Sequence, residues 1–255
     1  MHGDCFEKMW DIDNFSIDLV LADPPYGTTD CAWDSVLPVH DMWKHLKRVV
    51  KLNGAIVLTA SQPFTTTLIS SNLEMFKYCW IWDKQAPVGF LNAKKMPMGV
   101  HEEVCVFYEN PPVYNPQGVK EIAPKKCKSL PSRSKSKGVY KNVKSKDYVL
   151  TQTNFPSTIL KIKRDKNSKV HSTQKPIKLM EYFIKTYTNE GDTVLDFTMG
   201  SGTTGIACKK LNRNFIGIEI DDFYFNLAKT RIKRTLSLEN YKNRRAIFRK
   251  DLKTI

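Results

Sequence analysis

Apolar and polar positions along the first half of the chain fall into blocks whose period switches between two and 3.6 residues. IDLVLA at 17–22 is a nearly unbroken apolar run of strand length, stopped by Asp23-Pro24-Pro25, and predicts a strand buried on both faces. HDMWKHLKRVVK at 40–51 carries apolar side chains at helical spacing and predicts an amphipathic helix closed by Asn53-Gly54. AIVLTA at 55–60 predicts a second strand, 63–73 a helix, YCWIWDK at 78–84 a third strand and EVCVFY at 103–108 a fourth. Strands alternating with helices predict an α/β protein with a Rossmann-like, doubly wound, mostly parallel sheet. Trp80 and Trp82, alternating with apolar neighbours, are expected in its core, and His101-Glu102 in the loop before the fourth strand.

Between 109 and 170 the periodicity dissolves into a Pro-, Lys- and Ser-rich stretch that includes KKCKSLPSRSKSKG, which predicts mobile loops or partial order until a partner binds. Regularity returns with a helix at 174–187 and then with DTVLDFTMGSGTTGIACKKLNRNFIGIEI at 192–220, which reads strand, glycine turn, helix, strand. The expected organisation is a first half at 1–108, an insertion at 109–170, a second half at 171–230 and a tail at 231–255.

Charge sharpens this division. The formal net charge is +14, yet residues 120–169 hold 15 Lys/Arg against three acids and residues 231–255 nine against two. The other 180 residues have a net charge of −5, so an acidic body carries two basic pieces, the footprint of a polyanion partner such as nucleic acid. No apolar run reaches the ~18 residues of a membrane-crossing helix, and the mixed start MHGDCFEKMWDID is no signal peptide. Six scattered cysteines without a C-x-x-C pair read as reduced cytoplasmic thiols rather than a disulfide framework or a metal site.

Two motifs carry the chemistry. Asp23-Pro24-Pro25-Tyr26 ends the first strand with two fixed φ angles, two missing N–H groups and an acid. Such a site suits a ligand that brings N–H donors and a flat face for Tyr26. Gly200-Ser201-Gly202-Thr203-Thr204-Gly205 follows a strand, opens a helix and has Glu219 19 residues after its first glycine, the context of a site for an adenosine ribose. NAD, FAD and S-adenosylmethionine all contain that ribose. Asp196 tilts the choice, because a carboxylate there repels a pyrophosphate and attracts a sulfonium or ammonium. Both motifs sit at strand ends and are expected to face one cleft, with an exocyclic amine of a nucleobase opposite a methyl donor.

With those residues in view, the chain resembles the S-adenosylmethionine-dependent DNA amino-methyltransferases of the β, permuted, order, most closely the adenine-N6 members of bacteria and phages. HGDCFEKM, DLVLADPPYGTTDCAWDSV, NGAIVLTASQPF, the 89–118 segment, HSTQKPIKLMEYF and NFIGIEID look like family segments in family order. The resemblance implies a permuted class I methyltransferase fold and the following roles. Asp23, Pro24, Pro25 and Tyr26 form the catalytic tetrapeptide, with Tyr26 stacking on a flipped base. Asp196, Phe197, Gly200 and Gly202 form the methyl-donor loop, and Glu219 is the ribose acid. Thr173, Gln174 and Lys175 hold the donor's amino-acid end, and Asp4 lies near its adenine. The basic insertion takes the place of the recognition region, with Lys125, Lys126, Arg133, Lys135 and Lys137 as candidate DNA contacts; Lys94 and Lys95, ahead of it, are candidate phosphate contacts because positive charge near the cleft would help. Trp33 could wall the target pocket.

Family members carry a short apolar strand ahead of the Gly-Asp pair. Here only Met1 and His2 precede Gly3, so that edge strand is expected to be missing or supplied otherwise. The resemblance implies double-stranded DNA as partner, with a homodimer and a cognate restriction enzyme as further candidates, and no metal. Cytosine N4 is the alternative acceptor; a catalytically silent DNA-binding relative and a nicotinamide oxidoreductase are the other classes.

Overall fold

The computed structural model describes residues 1–27, 36–128, 147–165 and 174–236. They form two compact units, 1–115 with 158 onward, and 116–157.

The larger unit holds a seven-stranded sheet. Its strands are β1 (Ile17–Ala22), β2 (Val50–Ala60), β3 (Phe76–Val88), β4 (Gly99–Phe107), β7 (Ile159–Lys161), β8 (Thr193–Asp196) and β9 (Asn214–Gly217). Its helices are α1 (Cys5–Met9), α2 (Val39–Val49), α3 (Phe64–Ser70), α4 (Ile177–Tyr187), α5 (Thr203–Lys210) and α6 (Asp222–Arg234). The strand order is β7-β3-β4-β2-β1-β8-β9. β1 runs parallel to both β2 and β8, β8 to β9 and β3 to β7; only β4 opposes its neighbours. The sheet is thus mostly parallel. The chain leaves β1 to one side for β2, while β8 pairs on the other side, which makes the carboxyl end of β1 the switch point where such sheets bind ligands.

Period-two alternation from Leu19 onward, with Ile17 lying before the register slip, sorts β1 between two cores. Ile17, Val20 and Ala22 pack with α2 residues Met42, Trp43, Leu46 and Val49 on one face. Leu19 and Leu21 join Ala55, Val57, Trp80, Trp82, Val104, Val106 and the α4 residues Leu179, Phe183 and Ile184 on the other. Each such fully buried aliphatic or aromatic side chain contributes about 1.5–3 kcal/mol. Trp80 and Trp82 are buried, as their alternation requires.

Several boundaries differ from the sequence reading. α2 ends at Val49 and β2 begins at once, so Asn53-Gly54 lies inside a strand rather than closing a helix. The β1–β2 register slips between Ile17↔Val50 and Leu19↔Ala55, and a Cβ on Gly54 would come within 2.7 Å of Val50 Cγ1 and 3.0 Å of the Asp18 carbonyl. The glycine is there for a bulge pressed against β1. β3 extends to Val88, and His101 and Glu102 belong to β4 instead of a preceding loop. His2 makes a single parallel bridge to Glu219, and the Gly3 N–H donates to the Glu219 carbonyl at 2.9 Å.

The 116–157 unit is not wholly irregular. β5 (Lys120–Cys127) and β6 (Tyr148–Thr153) form an antiparallel ribbon, with Gln152 donating to Glu121 at 2.7 Å. Pro124 is tolerated because the register shifts between Glu121 and Lys125, where its missing N–H breaks no ladder bond.

Candidate active site

Parallel pairing brings the carboxyl ends of β1, β2, β8 and β9 to one edge, and β4, running the other way, contributes its first residues there. Alternation then decides which side chains meet. Asp23 continues the parity of Leu19 and Leu21, Thr59 that of Ala55 and Val57, Lys84 that of Trp80 and Trp82, and Glu102 that of Val104 and Val106. All four continue one buried face past the last apolar residue, at its cleft end. Lys175, just before α4, which covers that face, completes the group.

The result is a dense polar knot. Thr59 Oγ1 donates to Asp23 Oδ1, and Tyr26 Oη lies 2.5 Å from the same oxygen and 2.9 Å from Thr59 Oγ1. Lys175 Nζ donates to Asp23 Oδ2 at 2.7 Å and pairs with Glu102 Oε2 at 3.3 Å. Lys84 Nζ reaches Glu102 Oε1 at 3.2 Å. The Tyr26 ring stacks on Phe64, with centroids 5.4 Å apart, and Lys175 Nζ lies 5.4 Å from its centroid. Burial, then the charges of Asp23 and Glu102, push the Tyr26 hydroxyl well above its ordinary range, so it stays a hydrogen-bond donor. Burial alone would lower the Lys175 pKa. The charges of Asp23 and Glu102, and their hydrogen bonds, more than offset it and raise the ammonium above its usual value.

The glycine turn lies beside this knot, one strand over. Thr198 Oγ1 donates to the Asp23 carbonyl at 3.2 Å and ties the two motifs together. Gly200 and Gly202 have φ of +50° and +78°, and their roles differ. A Cβ on Gly202 would meet Ala228 at 2.8 Å, so it serves packing against α6, whereas a Cβ on Gly200 would find nothing within 4 Å. Gly200 therefore faces open space beside the acids. Glu219 accepts the Gly200 N–H on Oε2 at 2.8 Å and the Asp221 N–H on Oε1 at 2.9 Å, which fixes its carboxylate and leaves lone pairs for two further donors.

Asp196, 4% exposed, is the most perturbed acid here. Burial pushes its carboxyl up to about 7; hydrogen bonds from Thr204 and the Thr198 N–H oppose that rise, while the charges of Asp23 and Glu219 add to it. Phe197 beside it is 1% exposed. Gln174 Oε1 accepts from Ser201 of the turn at 3.3 Å, while its Nε2 is buried with no protein partner. A buried N–H without a partner, a buried acid that wants a cation and a glycine facing open space fit an adenosine-containing ligand with a carboxylate and a positive charge.

Asp4 follows Gly3, whose N–H donates to the carbonyl of Glu219 at 2.9 Å. Asp4 is the N-cap of α1, accepting the Phe6 and Glu7 N–H groups at 2.8 and 3.1 Å. The signal for that cap, Asp4 followed by Glu7, is present in the sequence. Lys94 and Lys95 are exposed after the 3₁₀ turn Phe90–Asn92, between β3 and β4, and Lys125 and Lys126 are exposed on β5. Thr173, Trp33, Arg133, Lys135 and Lys137 lie outside the described residues. Thr59, Lys84 and Glu102 were missed. Their parity with buried neighbours was the available signal.

Comparison with known proteins agrees with this architecture. The family described as "DNA methylase", of N6 and N4 methyltransferases, matches residues 17–230. The chain is 30% identical over 244 residues to the type II methyltransferase M1.MboII of Moraxella bovis, covering 88% of this chain and 92% of that protein. It is 29% identical over 268 residues to the type II methyltransferase M.HinfI of Haemophilus influenzae, covering 91% and 67%. Among solved structures, the M1.HpyAVI–SAM complex superposes with a TM-score of 0.62 at 29% identity, covering 91% of this chain and 98% of that one. PvuII DNA methyltransferase, described as cytosine-N4-specific, shares the fold with a TM-score of 0.65 at 17% identity. With the cleft, the tetrapeptide and the glycine turn in their places, the chain belongs to the DNA methylase family and is an S-adenosylmethionine-dependent DNA methyltransferase acting on double-stranded DNA.

Proposed function

We propose that the target is the N6 amine of an adenine flipped out of the duplex. One observation carries this reading: Asp23, held at the end of β1 and hydrogen-bonded by Lys175, offers a carboxylate acceptor beside the glycine turn. An exocyclic amine is a poor nucleophile because its lone pair is delocalised into the ring. With Asp23 accepting one of its hydrogens and the Pro24 carbonyl the other, the nitrogen is held pyramidal and its lone pair is freed. Tyr26 is the stacking partner; Phe64 anchors its ring and Thr59 its hydroxyl. Aspartate in the tetrapeptide favours adenine, because the resemblance associates serine there with cytosine N4.

Asp196, Phe197, Gly200, Gly202, Glu219 and Gln174 would hold S-adenosylmethionine: Asp196 the cationic end, Glu219 the ribose, and the unpartnered Gln174 Nε2 the carboxylate. When bound, the donor would supply an electrophilic methyl group, and Asp23, hydrogen-bonded to the amine, would take up the proton given up as the C–N bond replaces the carbon–sulfur bond. The protein's part is alignment, which removes much of the entropic barrier. Lys94 and Lys95, beside Phe90 and Leu91, which are 80% and 97% exposed, are proposed phosphate contacts, and Lys125 and Lys126 on β5 with Arg133, Lys135 and Lys137 a second set.

Labelled S-adenosylmethionine incubated with unmethylated genomic duplex tests this. Label recovered in adenine is expected; label in cytosine supports the N4 alternative; unlabelled DNA refutes both. The resemblance also supports a cytoplasmic location, a homodimer and a cognate restriction enzyme. Sedimentation and protection of modified DNA against digestion check the last two.

A further inference from the structure

We infer that Lys175 is the positioning residue of Asp23: its ammonium orients the carboxylate so that one lone pair of Oδ2 is kept for the hydrogen of the target amine, and Glu102 and Lys84 hold that ammonium in place. This rests on the adenine reading above and assigns Lys175 to the base rather than to the methyl donor.

The argument begins with acceptor capacity. An ionised carboxylate has about four lone-pair sites. Thr59 and Tyr26 both engage Asp23 Oδ1, and Lys175 engages Oδ2. One site remains, on Oδ2, and the Asp23 side chain is still 27% exposed. Without Lys175, Oδ2 has no protein partner among these contacts, and rotation of the carboxylate is restrained from one side only.

The lysine itself is held by design of the sheet. Its side chain is 9% exposed, and Glu102 Oε2 stands 3.3 Å from Nζ. Glu102 is in turn fixed by Lys84, whose side chain is 5% exposed, at 3.2 Å. Lys84, Glu102, Lys175 and Asp23 form a row of alternating sign along the cleft end of one sheet face. Two positive and two negative charges cancel, which is what lets four ionic groups sit this deep. The neighbouring Gln174 turns the other way, accepting from Ser201 of the glycine turn and keeping its buried Nε2 unpartnered. Adjacent residues thus serve opposite halves of the cleft.

Lys175→Met alone leaves Asp23 without its ion-pair partner and Glu102 with Lys84 only, and risks the fold. The informative variant is Lys175→Met combined with Glu102→Gln, which removes one charge of each sign. Single-turnover methyl transfer at saturating donor and DNA, and calorimetric S-adenosylmethionine affinity, are measured beside Lys175→Arg. The double variant is expected to melt near the wild type, bind the donor within about threefold and lose roughly 100-fold or more in transfer rate. Lys175→Arg is expected to keep donor affinity and lose less rate. A double variant with wild-type rate would overturn the assignment by showing that Lys175 only balances Glu102. Donor affinity falling in step with rate would overturn it by moving Lys175 to the donor site, as would equal rate losses for arginine and methionine. Wild-type protein that transfers no methyl to adenine would instead fell the adenine reading, and this assignment with it.

Discussion

Asp196 ties the stability of the fold to pH through one buried carboxyl. Its carboxyl is raised from 3.8 to about 7 in the folded chain, chiefly by burial. The folded state therefore holds this proton more tightly than the unfolded state. The group's contribution is fully present below pH 3.8 and is lost as pH rises through about 7. Asp196→Asn removes a buried negative charge and is expected to stabilise the protein at pH 8, by on the order of 1–4 kcal/mol, with the gain vanishing near pH 4. Thermal melts of both proteins across that range check it. The same substitution should abolish S-adenosylmethionine binding, because the cationic end loses its counter-charge. Wild-type donor affinity should itself fall as pH drops below about 7, which calorimetry at pH 6 and pH 8 measures. A buried acid that costs stability above neutral pH supports the proposed role of Asp196 as counter-charge to the donor's cationic end.

At the scale of elements, the glycine turn separates binding from packing. A Cβ on Gly205 would come within 2.4 Å of Ile232 and 2.6 Å of Phe215, so Gly205→Ala is expected to cost about 1–3 kcal/mol of stability. Gly200→Ala meets nothing, and at φ +50° it costs less fold but places a methyl in the space beside Glu219 and Asp196. Donor affinity should fall far more than melting temperature in Gly200→Ala, and the reverse in Gly205→Ala; denaturant unfolding and calorimetry together read both. β1 was legible to its boundaries, Ile17 and Ala22, because an apolar run met Pro24-Pro25. The β8-turn-α5-β9 unit was legible because its glycines require that geometry. β2's early start was not, since VKLNG looks like the end of a helix until β1 pairs with it. β5, β6 and β7 were hidden by composition: lysine and proline dominate segments whose pairing partners lie far along the chain. α1 and α6 were signalled by Asp4 and Asp221 at their caps and went unread.

For the whole molecule, charge and fold divide the labour. An acidic body builds the cleft, and the basic segments are the proposed source of attraction to a phosphate backbone. Substituting Lys125 and Lys126 together by alanine is expected to weaken DNA binding at all sequences and reduce the slope of log affinity against log salt by about one to two. Fluorescence anisotropy over a salt series measures that slope. The Asp23-Pro24-Pro25-Tyr26 tetrapeptide and the glycine turn were visible as separate motifs because each is local. The charge row through Lys84, Glu102 and Lys175 was not, because its members are brought together only when β3, β4 and the start of α4 converge on β1. Alternation alone could have marked Glu102 and Lys84 as buried, but only pairing shows whom they meet.

The most direct test of the account is nucleoside mass spectrometry of unmethylated duplex DNA incubated with S-adenosylmethionine and either the wild type or Asp23→Ala, with donor affinity measured for both. The account predicts N6-methyladenine from the wild type, a loss of about 1,000-fold or more in Asp23→Ala, and donor affinity unchanged. N4-methylcytosine in its place, or N6-methyladenine formed equally well without the Asp23 carboxylate, would contradict it.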